Sequence, residues 1–140
     1  MGLAGSVLID TGPIVALLNR RDRHHEWAKV TARGLDAPLH SCEAVLAEAH
    51  YLLSGTHDGS RRLNQLVDSG RMDLTFRYRD HTGRVHELMN KYASVPMSFA
   101  DACLVALSEV SREPRVFTVD QDFTIYRRKR NRPLDLLIPR

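Results

Sequence analysis

Val7-Leu8-Ile9-Asp10-Thr11-Gly12-Pro13-Ile14-Val15-Ala16-Leu17-Leu18 runs from an unbroken apolar segment, through a carboxylate, into a second apolar segment. A short apolar run without polar alternation is the mark of a strand buried on both faces, and so of a parallel sheet covered by helices. Pro13 suits the first position of a helix, where its missing N–H leaves no bond unmade. The stretch therefore predicts a strand, then Asp10, then a helix. Asp10 falls at the carboxyl end of the strand, the edge at which open α/β sheets hold their ligands. Taken alone, the same position equally suits Asp10 or Thr11 as an ordinary helix cap.

Downstream, strand and helix signals alternate. A short apolar helix is predicted over Ile14 to Asn19, and a second, carrying Trp27 and Val30, between Asp22 and Gly34. His24 and His25 are neighbours, about 100° apart on a helix, and read as a surface pair. Ala37 to His40 reads as a short strand. Ser41 reads as the N-cap of a long helix from Cys42 to Ser54, closed by Gly55. A further helix starts at Asp58 or Ser60 and ends at Gly70. Met72, Leu74, Phe76 and Tyr78 alternate as a strand does, and His81 to Ala93 is amphipathic, with His86 at its hydrogen-bonded boundary. Ser98-Phe99-Ala100-Asp101 has the spacing of a capped helix start, and the helix behind it is apolar almost all round. Arg115 to Val119 is another apolar strand that runs into a carboxylate, Asp120. A basic run, Arg127-Arg128-Lys129-Arg130 with Arg132, precedes a last strand over Leu134 to Ile138. This order predicts an α/β fold with a central, mostly parallel sheet flanked by helices on both faces.

The chain of 140 residues suits one domain, residues 1–140, with a real core. Hydrophobic residues at 43% and charged residues at 26% fit a soluble globular protein. No apolar run approaches a membrane span, and the N-terminus has no signal-peptide pattern, so no membrane partner is expected. Cys42 and Cys103 lack metal-type spacing and read as small core residues of a reduced, cytoplasmic protein. A formal charge of +3 permits a polyanionic partner without requiring one.

Four acids stand where such a fold can bring them together. Asp10 and Asp120 end strands. Asp101 lies in the first turn of a helix, where compensation of the helix dipole is the plain alternative. Glu48 borders an apolar stripe of Val45, Leu46, Ala49, Leu52 and Leu53, whereas Glu43 lies on the solvent side. Clustered carboxylates repel one another unless a cation lies between them, and hard oxygen donors suit Mg²⁺ or Mn²⁺. No Gly-rich phosphate loop, Gly-x-Ser-x-Gly or paired Cys/His set competes with them. An acidic metal pocket on a mildly basic chain fits phosphodiester hydrolysis, although phosphatases and phospho-acceptor domains use similar pockets.

The chain resembles the PIN-domain nucleases and, within them, the VapC-type toxins of type II toxin–antitoxin pairs. Val7-Leu8-Ile9-Asp10-Thr11-Gly12-Pro13 is similar to the family's opening strand and first acid. Leu46-Ala47-Glu48-Ala49 resembles the second motif, Ser98-Phe99-Ala100-Asp101-Ala102 the third, and Thr118-Val119-Asp120-Gln121-Asp122-Phe123 the fourth. The resemblance implies a Mg²⁺- or Mn²⁺-dependent endoribonuclease that leaves a 5′-phosphate, works as a homodimer and is silenced by a small antitoxin. It assigns the metal to Asp10, Glu48, Asp101 and Asp120, with Asp122 in support because the fourth motif varies. Thr11 and Thr118 match polar positions that assist by hydrogen bonding. Arg127, Arg128, Lys129 and Arg130 are expected to track RNA phosphates, to meet an acidic antitoxin segment, or simply to face solvent. Two rival readings stay open: a PIN-domain ribonuclease of RNA processing outside any toxin pair, and a non-catalytic RNA- or protein-binding module.

Overall fold

In the computed structural model, which describes residues 5–140, Val7–Ile9 form β1 with all three side chains buried. Its two sheet neighbours are both parallel: β2 (Leu39–His40) on one side and β4 (Arg115–Phe117) on the other. The remaining strands, β3 (Met72–Asp73) and β7 (Asp135–Leu137), complete a five-stranded parallel sheet of order β3-β2-β1-β4-β7. The order reverses at β1, because β2 and β4 lie on opposite sides of it. A crevice therefore opens at the carboxyl ends of β1 and β4, the switch point of an open α/β sheet.

Six α-helices flank this sheet among the described residues: α1 (Thr11–Leu18), α2 (His25–Arg33), α3 (Glu43–Leu52), α4 (Gly59–Asp68), α5 (Thr82–Lys91) and α6 (Phe99–Glu109). Helix α6 is buried over Ala100–Ser108, as its nearly uniform apolar sequence requires. Helix α1 starts immediately after Asp10, three residues earlier than the apolar pattern suggests. Gly12 permits that tight start, because a Cβ there would collide with the Val119 side chain. Thus α1 and the segment after β4 can lie against each other.

Several local expectations need correction. The strand expected over Met72–Tyr78 stops at Asp73, and Tyr78–His81 form a 3₁₀ turn. Phe76 is buried all the same, with its ring stacked on His81 at 4.9 Å, so its alternation reflects a packed loop and not a ladder. Ser41 is not a cap; its buried hydroxyl donates to the Ile9 carbonyl at 2.9 Å, which ties the start of α3 to β1. His25 is not a surface residue. It is buried, and its Nδ1–H donates to the Ala16 carbonyl at 2.6 Å. Leu52 is 55% exposed, so the buried stripe of α3 is narrower than its apolar pattern. Cys42 and Cys103 are free thiols buried in the core. No helix of the described residues is long and apolar enough to cross a membrane.

Candidate metal centre

The crevice at the ends of β1 and β4 holds the acids. Asp10, Asp101 and Asp120 each bring one carboxylate oxygen to within 4.8 Å of the other two. Asp10 and Asp101 are buried and Asp120 is half-buried. Asp10 occupies the N-cap position of α1, yet its side chain makes no capping bond there. Its carboxylate instead accepts the Thr118 hydroxyl through Oδ2 at 2.8 Å. Thr118 is wholly buried and in turn accepts the Asp120 N–H at 3.0 Å. One threonine therefore fixes the first and last acids relative to each other.

Asp101 is placed by the start of α6. The Ser98 hydroxyl caps that helix by accepting the Asp101 N–H at 3.0 Å. The cap thus uses the Asp101 backbone and leaves its carboxylate to the crevice. The Tyr126 hydroxyl donates to Asp101 Oδ2 at 2.8 Å. Tyr126 is buried to 0% exposure, packed edge-on against Tyr92 and Phe123. No sequence motif marked this tyrosine. The only available signal is that a tyrosine in an apolar stretch just after the fourth acid needs a partner for its hydroxyl.

Glu48 stands apart from the three aspartates. It is solvent-exposed on α3, and its Oε1 accepts the Thr11 hydroxyl at 2.8 Å. Its charge nevertheless reaches Asp101 and raises that group's pKa. Glu48 therefore lies at the mouth of the crevice. Glu43, at the first position of α3, is exposed, and no bond ties its side chain to the crevice. Asp122 contributes its backbone: its N–H donates to Asp120 Oδ1 at 2.9 Å and orients that carboxylate.

The electrostatics follow from burial and crowding. Burial pushes the Asp10 carboxyl up to about 7, and the neighbouring Asp101 charge pushes in the same direction. The Thr11 N–H and the Thr118 hydroxyl oppose the rise without cancelling it. Asp101 is raised too, first by burial, with the Tyr126 hydroxyl pulling it back and Asp120 adding repulsion. Burial, the bond to Asp101 and the nearby acids hold the Tyr126 phenol well above its usual range. Crowded, desolvated carboxylates of this kind are destabilised as anions until a cation joins them. Three hard oxygen donors converging from separate elements are a fitting donor set for Mg²⁺ or Mn²⁺.

The basic run lies in an antiparallel hairpin of β5 (Arg127–Arg128) and β6 (Arg132–Pro133), and half of it serves the fold. Arg127 Nη1 donates to the carbonyls of Thr124, Ile125 and Tyr126 at 2.8–3.1 Å. Arg128 Nη2 donates to the Ser108 carbonyl near the end of α6 at 3.2 Å. Each of these two guanidiniums is tied to main-chain carbonyls through one of its nitrogens. Lys129 and Arg130 are exposed.

The sequence matches the family model described as PIN domain over residues 7–131. No curated protein sequence matches it. Among solved structures, the fold is similar to that of VapC20 from Mycobacterium tuberculosis, a Sarcin-Ricin loop cleaving toxin. The TM-score is 0.74 at 20% identity, over 86% of this chain and 94% of that one. It is also similar to VapBC2 from Rickettsia felis, solved bound to a DNA fragment from its promoter. There the TM-score is 0.58 at 18% identity, over 94% of this chain and 97% of that one.

Proposed function

The chain belongs to the PIN domain family, and on that premise we propose that it is a divalent-metal-dependent endoribonuclease, the toxin half of a type II toxin–antitoxin pair. The observation that carries this reading is the convergence of Asp10, Asp101 and Asp120 within 4.8 Å in a crevice at the sheet's switch point. Asp10, Asp101 and Asp120 would hold Mg²⁺ or Mn²⁺, with Glu48 at the mouth reaching it directly or through water. When bound, the cation lowers the pKa of an attacking water and offsets charge on the scissile phosphodiester.

The protein's own residues do the positioning. Thr118 holds the Asp10 carboxylate in place, and Tyr126 holds that of Asp101. The Asp122 N–H orients Asp120, and Thr11 holds Glu48 at the entrance. Burial of Asp10 and Asp101 keeps bulk water from screening their charge. Hydrolysis breaks the P–O3′ bond and leaves a 5′-phosphate on the downstream fragment.

RNA is the proposed substrate. The partner is a small antitoxin, a reading supported by the similarity to VapBC2. A homodimer is the proposed working unit, and two free buried thiols accord with a reducing cytoplasm. Brief expression followed by sequencing of RNA 5′ ends tests the proposal. New 5′-phosphate ends should appear with the intact protein and vanish with Asp101→Asn. Ends that persist in that variant would remove the site from the reaction. A gene for a small antitoxin next to this one would separate a toxin from an RNA-processing enzyme.

A further inference from the structure

We propose that single-stranded RNA leaves the metal centre along α3, stacks one nucleobase on Tyr51, and seats a backbone phosphate in a basic pocket formed by Arg20, Arg21 and Arg62. The inference rests on the nuclease reading above and adds to it the path of the substrate.

Helix α1 leaves from the crevice, and α3 passes its mouth at Glu48. Thr11, the first residue of α1, is bonded to Glu48 of α3, so the two helices are tied together at the acidic end. Tyr51 lies three residues beyond Glu48, on the same helix face and about 4.5 Å further along the axis. At 78%, it is more exposed than any other large hydrophobic residue described, and none of the described aromatic rings packs against it. Ala47, Glu48, Tyr51 and Leu52 line one shallow concavity open to solvent. An unpartnered ring beside a phosphodiester-cleaving site offers a stacking surface that any base can use.

The basic pocket lies where the two helices end. The loop after α1 and the loop after α3 face each other across a polar cavity of about 600 Å³. Arg20, Arg21 and His57 are exposed on it. Arg62 lines the cavity and anchors its Nη1 on the Leu18 carbonyl at 2.9 Å. Asp58 is the carboxylate on its wall, and its Oδ2 is paired with Arg61 at 3.0 Å. Arg20, Arg21 and Arg62 form no ion pair among the described residues. An uncompensated arginine cluster suits phosphate oxygens, which guanidinium forks bind in pairs. Eight residues of α1 place the pocket about 12 Å from the crevice, a short stretch of single-stranded backbone away.

The test uses the full chain with Mg²⁺ and two single-stranded RNA substrates, a dodecamer and a dinucleotide. For Arg20→Gln/Arg21→Gln, KM for the dodecamer should rise about tenfold with kcat little changed. The dinucleotide, too short to reach the pocket, should be cut as before. Binding is read separately by anisotropy in an Asp10→Asn background, so an inert nuclease and an absent track give different results. There the slope of log affinity against log salt should flatten by about 1.4, close to 0.7 for each lost contact. Tyr51→Ala should weaken dodecamer binding, and Tyr51→Trp should restore it. An unchanged salt slope in the arginine variant would overturn the proposal. So would a defect confined to binding of a protein partner, or an equal loss on dinucleotide and dodecamer.

Discussion

The Thr118 hydroxyl donates to Asp10 Oδ2 at 2.8 Å across 108 residues of sequence. This bond joins the ends of β1 and β4, and with the Asp120 N–H donating to the Thr118 hydroxyl oxygen it sets the spacing of two acids. Thr118→Val keeps the side chain's volume and removes both interactions. It should weaken metal affinity and cleavage by about 10–100-fold, the usual effect of losing a group that orients a ligand. Calorimetric titration with Mn²⁺ beside a cleavage assay checks this. Unchanged affinity would show that the bond does not organise the site.

Tyr126 makes a related prediction. Tyr126→Phe leaves the packing against Tyr92 and Phe123 intact but removes the donor to Asp101. The buried Asp101 carboxylate then loses a partner, at a cost of about 1–3 kcal/mol in stability. Cleavage should fall as well. Denaturant unfolding and single-turnover cleavage of the same variant would separate the two effects.

The raised Asp10 pKa fixes the pH dependence of stability. The folded carboxyl titrates at about 7 and the unfolded one near its ordinary 3.8. Between these values the folded state holds a proton that the unfolded state has released. Stability of the metal-free protein therefore falls as pH rises through this window, by on the order of 1.4 kcal/mol per unit at most. Asp101, also raised, contributes in the same direction. Melting in EDTA should be lower at pH 8 than at pH 5.5, and Asp10→Asn should lose much of that slope. The stabilisation by Mn²⁺ should be larger at pH 8, because the cation needs the deprotonated site.

The two glutamates of α3 should differ. Glu48 is bonded to Thr11 at the mouth of the crevice, and Glu43 has no tie to it. Glu48→Gln should lower kcat/KM by at least tenfold, and Glu43→Gln should leave it nearly unchanged. Equal effects in a steady-state assay would exclude Glu48 from the site.

The sequence is legible where local chemistry decides the structure. Val7–Ile9 had to be a buried strand, and Ser98 caps α6 through a bond to the third residue after it. The grouping of Asp10, Asp101 and Asp120 was visible as three acids at element ends, because a parallel sheet gathers strand ends at one edge. Contacts between distant segments were not visible. Tyr126 reaches Asp101 only through the folded core, and Ser41 serves β1 instead of its own helix. The main-chain carbonyls that bond Arg127 and Arg128 depend on how the chain turns around them, which no local pattern encodes. Leu52 carries the pattern of a buried stripe, but α3 ends there and turns it toward solvent.

Thermal melts of the wild-type protein and Asp101→Asn, each in EDTA and in millimolar Mg²⁺, decide whether the carboxylates form a divalent cation site. Asn keeps the shape, the Ser98 cap and an acceptor for Tyr126, and removes one repelling charge. The metal-free variant should be as stable as the parent or more so, by about 1 kcal/mol. Mg²⁺ should raise the melting temperature of the parent and leave the variant almost unmoved. A variant that melts lower in EDTA yet keeps the full Mg²⁺ rise would rule out Asp101 as a ligand of the cation.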